Sequence, residues 1–113
     1  GTNSGKFDVV GGRVEPGQRF DQSLLREIAE ETGLQVQIGR PFFVNEWRPV
    51  VRDEQWQIIG TFFECHAESA DVQLSPDHDE FVWIDPTEYQ QYNLIENLVP
   101  AFESFLNRPV QSI

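Results

Sequence analysis

The chain has 113 residues and a mass of 13.1 kDa, room for a single domain over residues 1–113 and not for a two-domain enzyme. Its 39% hydrophobic and 12% aromatic content is too apolar for a disordered chain. With 19 acids against 8 bases the net charge is −11, which argues against a nucleic acid polymer or an anionic membrane as partner, so any bound phosphate needs a bridging cation or a local basic cluster.

In chain order, residues 1–5 are set apart as a tag remnant or a disordered start. Phe7 to Val10 reads as a short strand ended by Gly11 and Gly12, and Glu15-Pro16-Gly17 as a turn. Asp21 and Gln22 open a patterned helix that stops at Gly33, a residue suited to the left-handed C-terminal cap. Leu34 to Ile38 and Pro41 to Val51 read as strands, the second limited by Pro49. Trp56 to Ala67 reads as a long antiparallel partner joined through Arg52-Asp53-Glu54. After a polar loop around Ser75 to Asp79 come a strand at Glu80 to Ile84, a helical turn at Asp85-Pro86-Thr87, and a helix from Asn93 to Asn107 with Pro100 near its start. The pattern is α+β, a mixed sheet with a helix before it and another after it.

Charge is unevenly placed. Residues 1–52 hold seven acids and seven bases, whereas residues 53–107 hold twelve acids and no Lys or Arg. Cys65, the single cysteine, reads as a small core residue and not a nucleophile. One unpaired Cys, no apolar run near the ~20 residues of a membrane span and no signal-like start predict a cytoplasmic protein. His66 and His78 read as surface or packing residues, since nothing at metal-ligand spacing accompanies them.

On the first helix Leu24, Leu25, Ile28, Ala29 and Thr32 share one side, while Glu27, Glu30 and Glu31 gather on the other. Like charges three and four residues apart repel by a few tenths of a kcal/mol per pair, roughly, in an isolated helix. Mg²⁺ would relieve that conflict, because it takes carboxylate oxygens and joins them to substrate phosphates; a solvated acidic face paired with nearby Arg residues is the other account. Phe42, Phe43, Trp47 and Trp56 can stack a base or fill the core, and Arg48 or Arg52 can contact phosphate.

From Gly12 to Leu34 the run GRVEPGQRFDQSLLREIAEETGL resembles the signature of the Nudix hydrolases: G, five residues, E, seven residues, then R-E-U-x-E-E-x-G-U with U aliphatic. Gly12, Arg26, Glu27, Ile28, Glu30, Glu31, Gly33 and Leu34 match in register, and Gln18 stands where the pattern has its first Glu. The resemblance implies an α/β/α sandwich and Mg²⁺-dependent hydrolysis, with Mn²⁺ as a substitute, of a nucleoside diphosphate linked to another moiety, such as a dNTP, an oxidised dNTP or a nucleotide sugar. It implies Glu27, Glu30 and Glu31 as metal ligands with a carbonyl of Gly11 or Gly12. Arg26 would orient Glu27, and Glu27 or a loop carboxylate, Glu80 or Asp77, would take the proton. Arg13, Arg48 and Trp47 are the substrate-binding candidates.

Family members usually carry several tens of residues before this box, with strands of the central sheet. A sheet lacking N-terminal strands and completed in a homodimer is therefore expected. Gln18 and the short lead-in also keep two other readings open, a non-catalytic nucleotide-binding or interaction module and an inactive fragment.

Overall fold

The computed structural model describes residues 5–78 and 80–108, so the expected remnant at residues 1–5 lies, apart from Gly5, outside the described residues. Helix α1 spans Phe20–Thr32. Asp21 meets the partial positive charge of the first turn and accepts from Arg19 Nε at 3.1 Å, a pairing that holds its carboxyl below the ordinary range. At the other end Gly33 takes φ 72°, and its N–H donates to Ala29 O at 2.9 Å. Thr32 Oγ1 donates to Ile28 O at 2.6 Å and accepts from Leu34 N at 3.2 Å, which fixes the exit into the sheet.

The two strands read from Leu34–Ile38 and Pro41–Val51 are one. Strand β1 runs Val36–Trp47 straight through Gly39 and Pro41. Those residues survive as register shifts between Ile38 and Pro41 and between Pro41 and Phe43, because a residue without an N–H leaves the ladder locally unpaired. Beyond it, β2 (Val50–Val51) and β3 (Glu54–Gln55) pair across Arg52 (φ 51°) and Asp53 (φ 63°). Two successive left-handed residues are what a tight hairpin turn requires. Strand β4 (Ile58–Ala67) returns antiparallel to β1, with Trp47 opposite Ile58 and Val36 opposite Ala67. Trp56, expected to begin this strand, belongs to the tip, where its N–H donates to Pro49 O at 2.9 Å.

Neighbouring residues of a strand face opposite ways, and here they separate the helices. Phe63 stacks on Phe20 of α1 at 5.6 Å, whereas Phe62 lies 6.2 Å from Phe42, whose ring meets Phe105 edge-on at 5.3 Å. Phe105 belongs to α2 (Val99–Leu106), which has Pro100 in its first turn. Ser104 Oγ donates to Phe42 O at 3.0 Å, fastening α2 to β1. Helix, ribbon and helix thus form the layers of an α+β fold, and Ile28, Leu34, Leu98 and Ala101 are its buried apolar residues.

Four local expectations differ. The strand expected at Glu80 to Ile84 does not form: Phe81, Val82 and Trp83 are exposed, and among the described residues no strand runs beside them to supply a ladder. Phe7 to Val10 reduces to one isolated parallel bridge, Phe7 with Leu94, outside the strands, so the expected mixed sheet is antiparallel among the described residues. The Asn93 to Asn107 helix is divided into a 3-10 turn at Glu96–Leu98 and α2, since Pro100 lacks the N–H a continuous helix needs. Cys65 is exposed, and so are Leu25 and Ala29 of α1. A two-stranded ribbon is narrow, and α1 buries only the strip of Ser23, Ile28 and Thr32. The turn at Pro86–Gln91 does form, capped by Asp85, which accepts from Thr87 N at 3.0 Å.

Candidate active site

The carboxylates of α1 divide by direction. Glu27 and Glu31, one turn apart, point toward the Gly11-Gly12 segment. A Cβ on Gly12 would lie 2.7 Å from Glu27 Cδ and 2.9 Å from its Oε2, so only glycine admits this approach. Gly11 N donates to Glu31 Oε2 at 3.3 Å. Glu30 turns outward: its side chain is 59% exposed against 23% for Glu27. Arg26 spans the divide, with Nη2 3.4 Å from Glu27 Oε1 and Nη1 3.8 Å from Glu30 Oε1.

Burial pushes the Glu31 carboxyl above its ordinary value. The Gly11 N–H and the charge of His78 oppose that shift, while Glu27 and Asp8 add to it as like charges. His78 and Asp8 were not singled out from sequence as neighbours of this cluster. His78 arrives through chain geometry: Gln73 N donates to Thr32 O at 2.8 Å and Ser75 N to Glu31 O at 3.3 Å, while Ser75 Oγ lies 3.0 Å from His78 Nδ1. Nothing in the local spacing around His78 signals that docking.

The chemistry of this donor set is that of a hard cation, namely carboxylate oxygens converging on backbone that only a glycine can bring so close. Among the described residues, no three His, Cys, Asp or Glu side chains are gathered tightly enough to enclose an ion. The residues fit a metal in kind, with Glu27 and Glu31 placed together and Glu30 held aside by Arg26.

Other expected positions fall elsewhere. Gln18 folds onto its own turn, where its Oε1 accepts from Glu15 N at 3.3 Å. Glu80 and Asp77 are exposed, and Glu80 makes no hydrogen bond or ion pair among the described residues. The outer edge of the Trp47 ring packs against β4: a Cβ on Gly60 would lie 3.0 Å from its Cη2 and 3.2 Å from its Cζ3. Arg48 donates to Glu46 Oε1 at 3.2 Å, and Gln57 Nε2 donates to the same oxygen. The Arg13 guanidinium sits over the Trp56 ring, 5.1 Å from its centroid.

Comparison with known proteins identifies the family. A family model described as NUDIX domain matches residues 1–106. Nucleoside triphosphatase NudI of Escherichia coli O81 (strain ED1a) is 31% identical over 101 residues, 83% of this chain and 72% of that protein. NudI of Salmonella arizonae (strain ATCC BAA-731 / CDC346-86 / RSK2980) shows the same identity over the same spans. The solution structure of the E. coli ORF135 protein is similar with a TM-score of 0.64 at 27% identity, covering 90% of this chain and 72% of that one. The chain belongs to the NUDIX domain family.

Proposed function

We propose that this chain hydrolyses a nucleoside diphosphate linked to another moiety, a dNTP, an oxidised dNTP or a nucleotide sugar, with Mg²⁺ as cofactor and Mn²⁺ able to replace it. The observation that carries the reading is the convergence of Glu27 and Glu31 on Gly11-Gly12. The NudI relatives, named nucleoside triphosphatases, support it.

Glu27, Glu31 and a carbonyl of the glycine pair would hold the cation, joined by Glu30 once it leaves Arg26. Such a cation supplies charge neutralisation on the diphosphate and lowers the pKa of water. The rest falls to the protein. Glu27, oriented by Arg26, accepts the proton of a water that attacks phosphorus in line as pyrophosphate or a phosphorylated fragment departs. Glu80 is the alternative acceptor, and reaching the cluster requires its loop to move in. No helix of the described residues is long and apolar enough to cross a membrane. A single cysteine supports placement in the reducing cytoplasm.

Turnover of a nucleotide panel with Mg²⁺, followed by phosphate release after pyrophosphatase treatment, tests this reading, with Glu30→Gln and Glu31→Gln as controls. Loss in both variants is expected, and unchanged turnover in both removes the reading. A second reading, a binding module without turnover, draws on Gln18 facing its own turn and on Glu30 paired with Arg26. It predicts nucleotide binding with no product in any variant.

A further inference from the structure

Next to the carboxylates, one residue beyond Gly12, the character of the surface reverses. Arg13 makes no ion pair among the described residues and rests instead on the Trp56 ring, 5.1 Å from its centroid. Trp56 is exposed, yet its backbone is pinned across the hairpin tip by the bond to Pro49 O. Trp56 also lines an open surface cavity of about 250 Å³ together with Arg48, Gln55 and Gln57. Arg13 is not part of that lining, so the guanidinium over the ring lies outside the cavity. Glu46 stiffens the wall by accepting from both Arg48 and Gln57.

Size and chemistry narrow the occupant. Pockets that take a whole drug-sized ligand run to roughly 300–1,000 Å³, so this one suits a single moiety. It offers an indole face for stacking, carboxamides that both donate and accept, and a guanidinium. A planar heterocycle with edge donors and acceptors matches that set, whereas a bare phosphate has no use for the ring or the carboxamides.

We propose that this cavity is the subsite for the nucleobase of the substrate, with Trp56 as its stacking surface and Arg13 as a positioning residue that ties the ring to the Gly11-Gly12 segment. The assignment rests on the nucleotide-hydrolase reading and adds where the base lies. It replaces Trp47, whose ring edge packs against Gly60 of β4, with Trp56.

Calorimetric titration of the whole chain with guanosine and cytidine 5′-diphosphates, using pyrophosphate as the phosphate-only probe, tests it. Trp56→Leu is expected to weaken nucleoside diphosphate binding about tenfold and leave pyrophosphate unchanged, while Trp56→Phe stays within about threefold of the native protein. In Arg13→Ala the Trp56 indole N–H resonance is expected to move while those of Trp47 and Trp83 stay in place. Pyrophosphate binding as tight as the nucleotides, absence of nucleotide binding, or indifference to Trp56→Leu would each overturn the proposal. Trp56-dependent nucleotide binding without turnover would keep the subsite and sink the hydrolase reading; turnover lost in Glu31→Gln but indifferent to Trp56 would do the reverse.

Discussion

Helix α1 and the hairpin tip, linked through Gly12 and Arg13, are opposite in kind. The helix presents carboxylates against backbone, a surface with negative charge in excess. The tip presents Arg13, Arg48 and the Trp56 ring, with Glu46 already engaged. A nucleoside diphosphate has the same two halves, an anionic chain that needs a cation and a flat heterocycle that needs a ring. Their juxtaposition comes from Gly12 and Arg13 being neighbours in sequence, so one short loop serves both.

Breaking the acidic side is expected to have the largest effect. Glu27→Gln and Glu31→Gln should each lower turnover by at least about a hundredfold, since even residues supporting metal ligands are typically worth 10–100-fold. Steady-state kinetics at saturating Mg²⁺ reads this directly, and a loss under threefold in both would detach the cluster from the chemistry. Gly12→Ala comes next. Its Cβ would come within 2.7 Å of the Glu27 carboxyl carbon, and that group ends a flexible side chain, so Glu27 is expected to swing aside. A drop of about tenfold in kcat, with nucleotide affinity kept, is the expected split for a displaced group that acts mainly in the transition state.

Self-association probes the sheet between the two regions. Among the described residues β1 and β4 pair only with each other, and Val44 and Ile59, on one face of the ribbon, are 60% and 66% exposed. Unpaired edges and bare apolar surface favour a second copy, and sedimentation at micromolar concentration should show a homodimer. A monomer would refute it.

The smallest effect concerns pH. Glu31 binds its proton more tightly folded than unfolded, so the apo protein loses stability as pH rises through the folded value, and the loss is complete above it. Glu31→Gln, free of that penalty, should melt above the native apo protein at pH 7, with the gap closing at acid pH below the ordinary carboxylate range. An equal gap at both pH values would place the effect in packing instead.

How far these features were readable from sequence depended on how local their causes are. The helix and its stop at Gly33 are set by residues within a few positions of each other, and they stand where the pattern puts them. The strand pair follows from composition and a two-residue turn. The fusion of β1 across Pro41 was hidden, because Pro marks a break unless a partner strand tolerates the bulge, and that partner lies far along the chain. Segment 81–84 has the composition of a strand and lacks a neighbour to pair with. In the site, spacing placed three carboxylates on one face, but which of them face the glycines depends on where Arg26 reaches. Trp47 and Trp56 are equivalent as letters; only the register, with Trp47 opposite Ile58, brings one against Gly60 of the strand and leaves the other at the tip.

The bonds from Gln73 and Ser75 to the last carbonyls of α1 couple two stretches far apart along the chain into one mechanical unit. Pulling the 73–78 loop away would have to break those two bonds and strain the final turn of the helix that carries the carboxylate at position 31. Whatever grips that loop therefore has a lever on the acidic cluster without touching it.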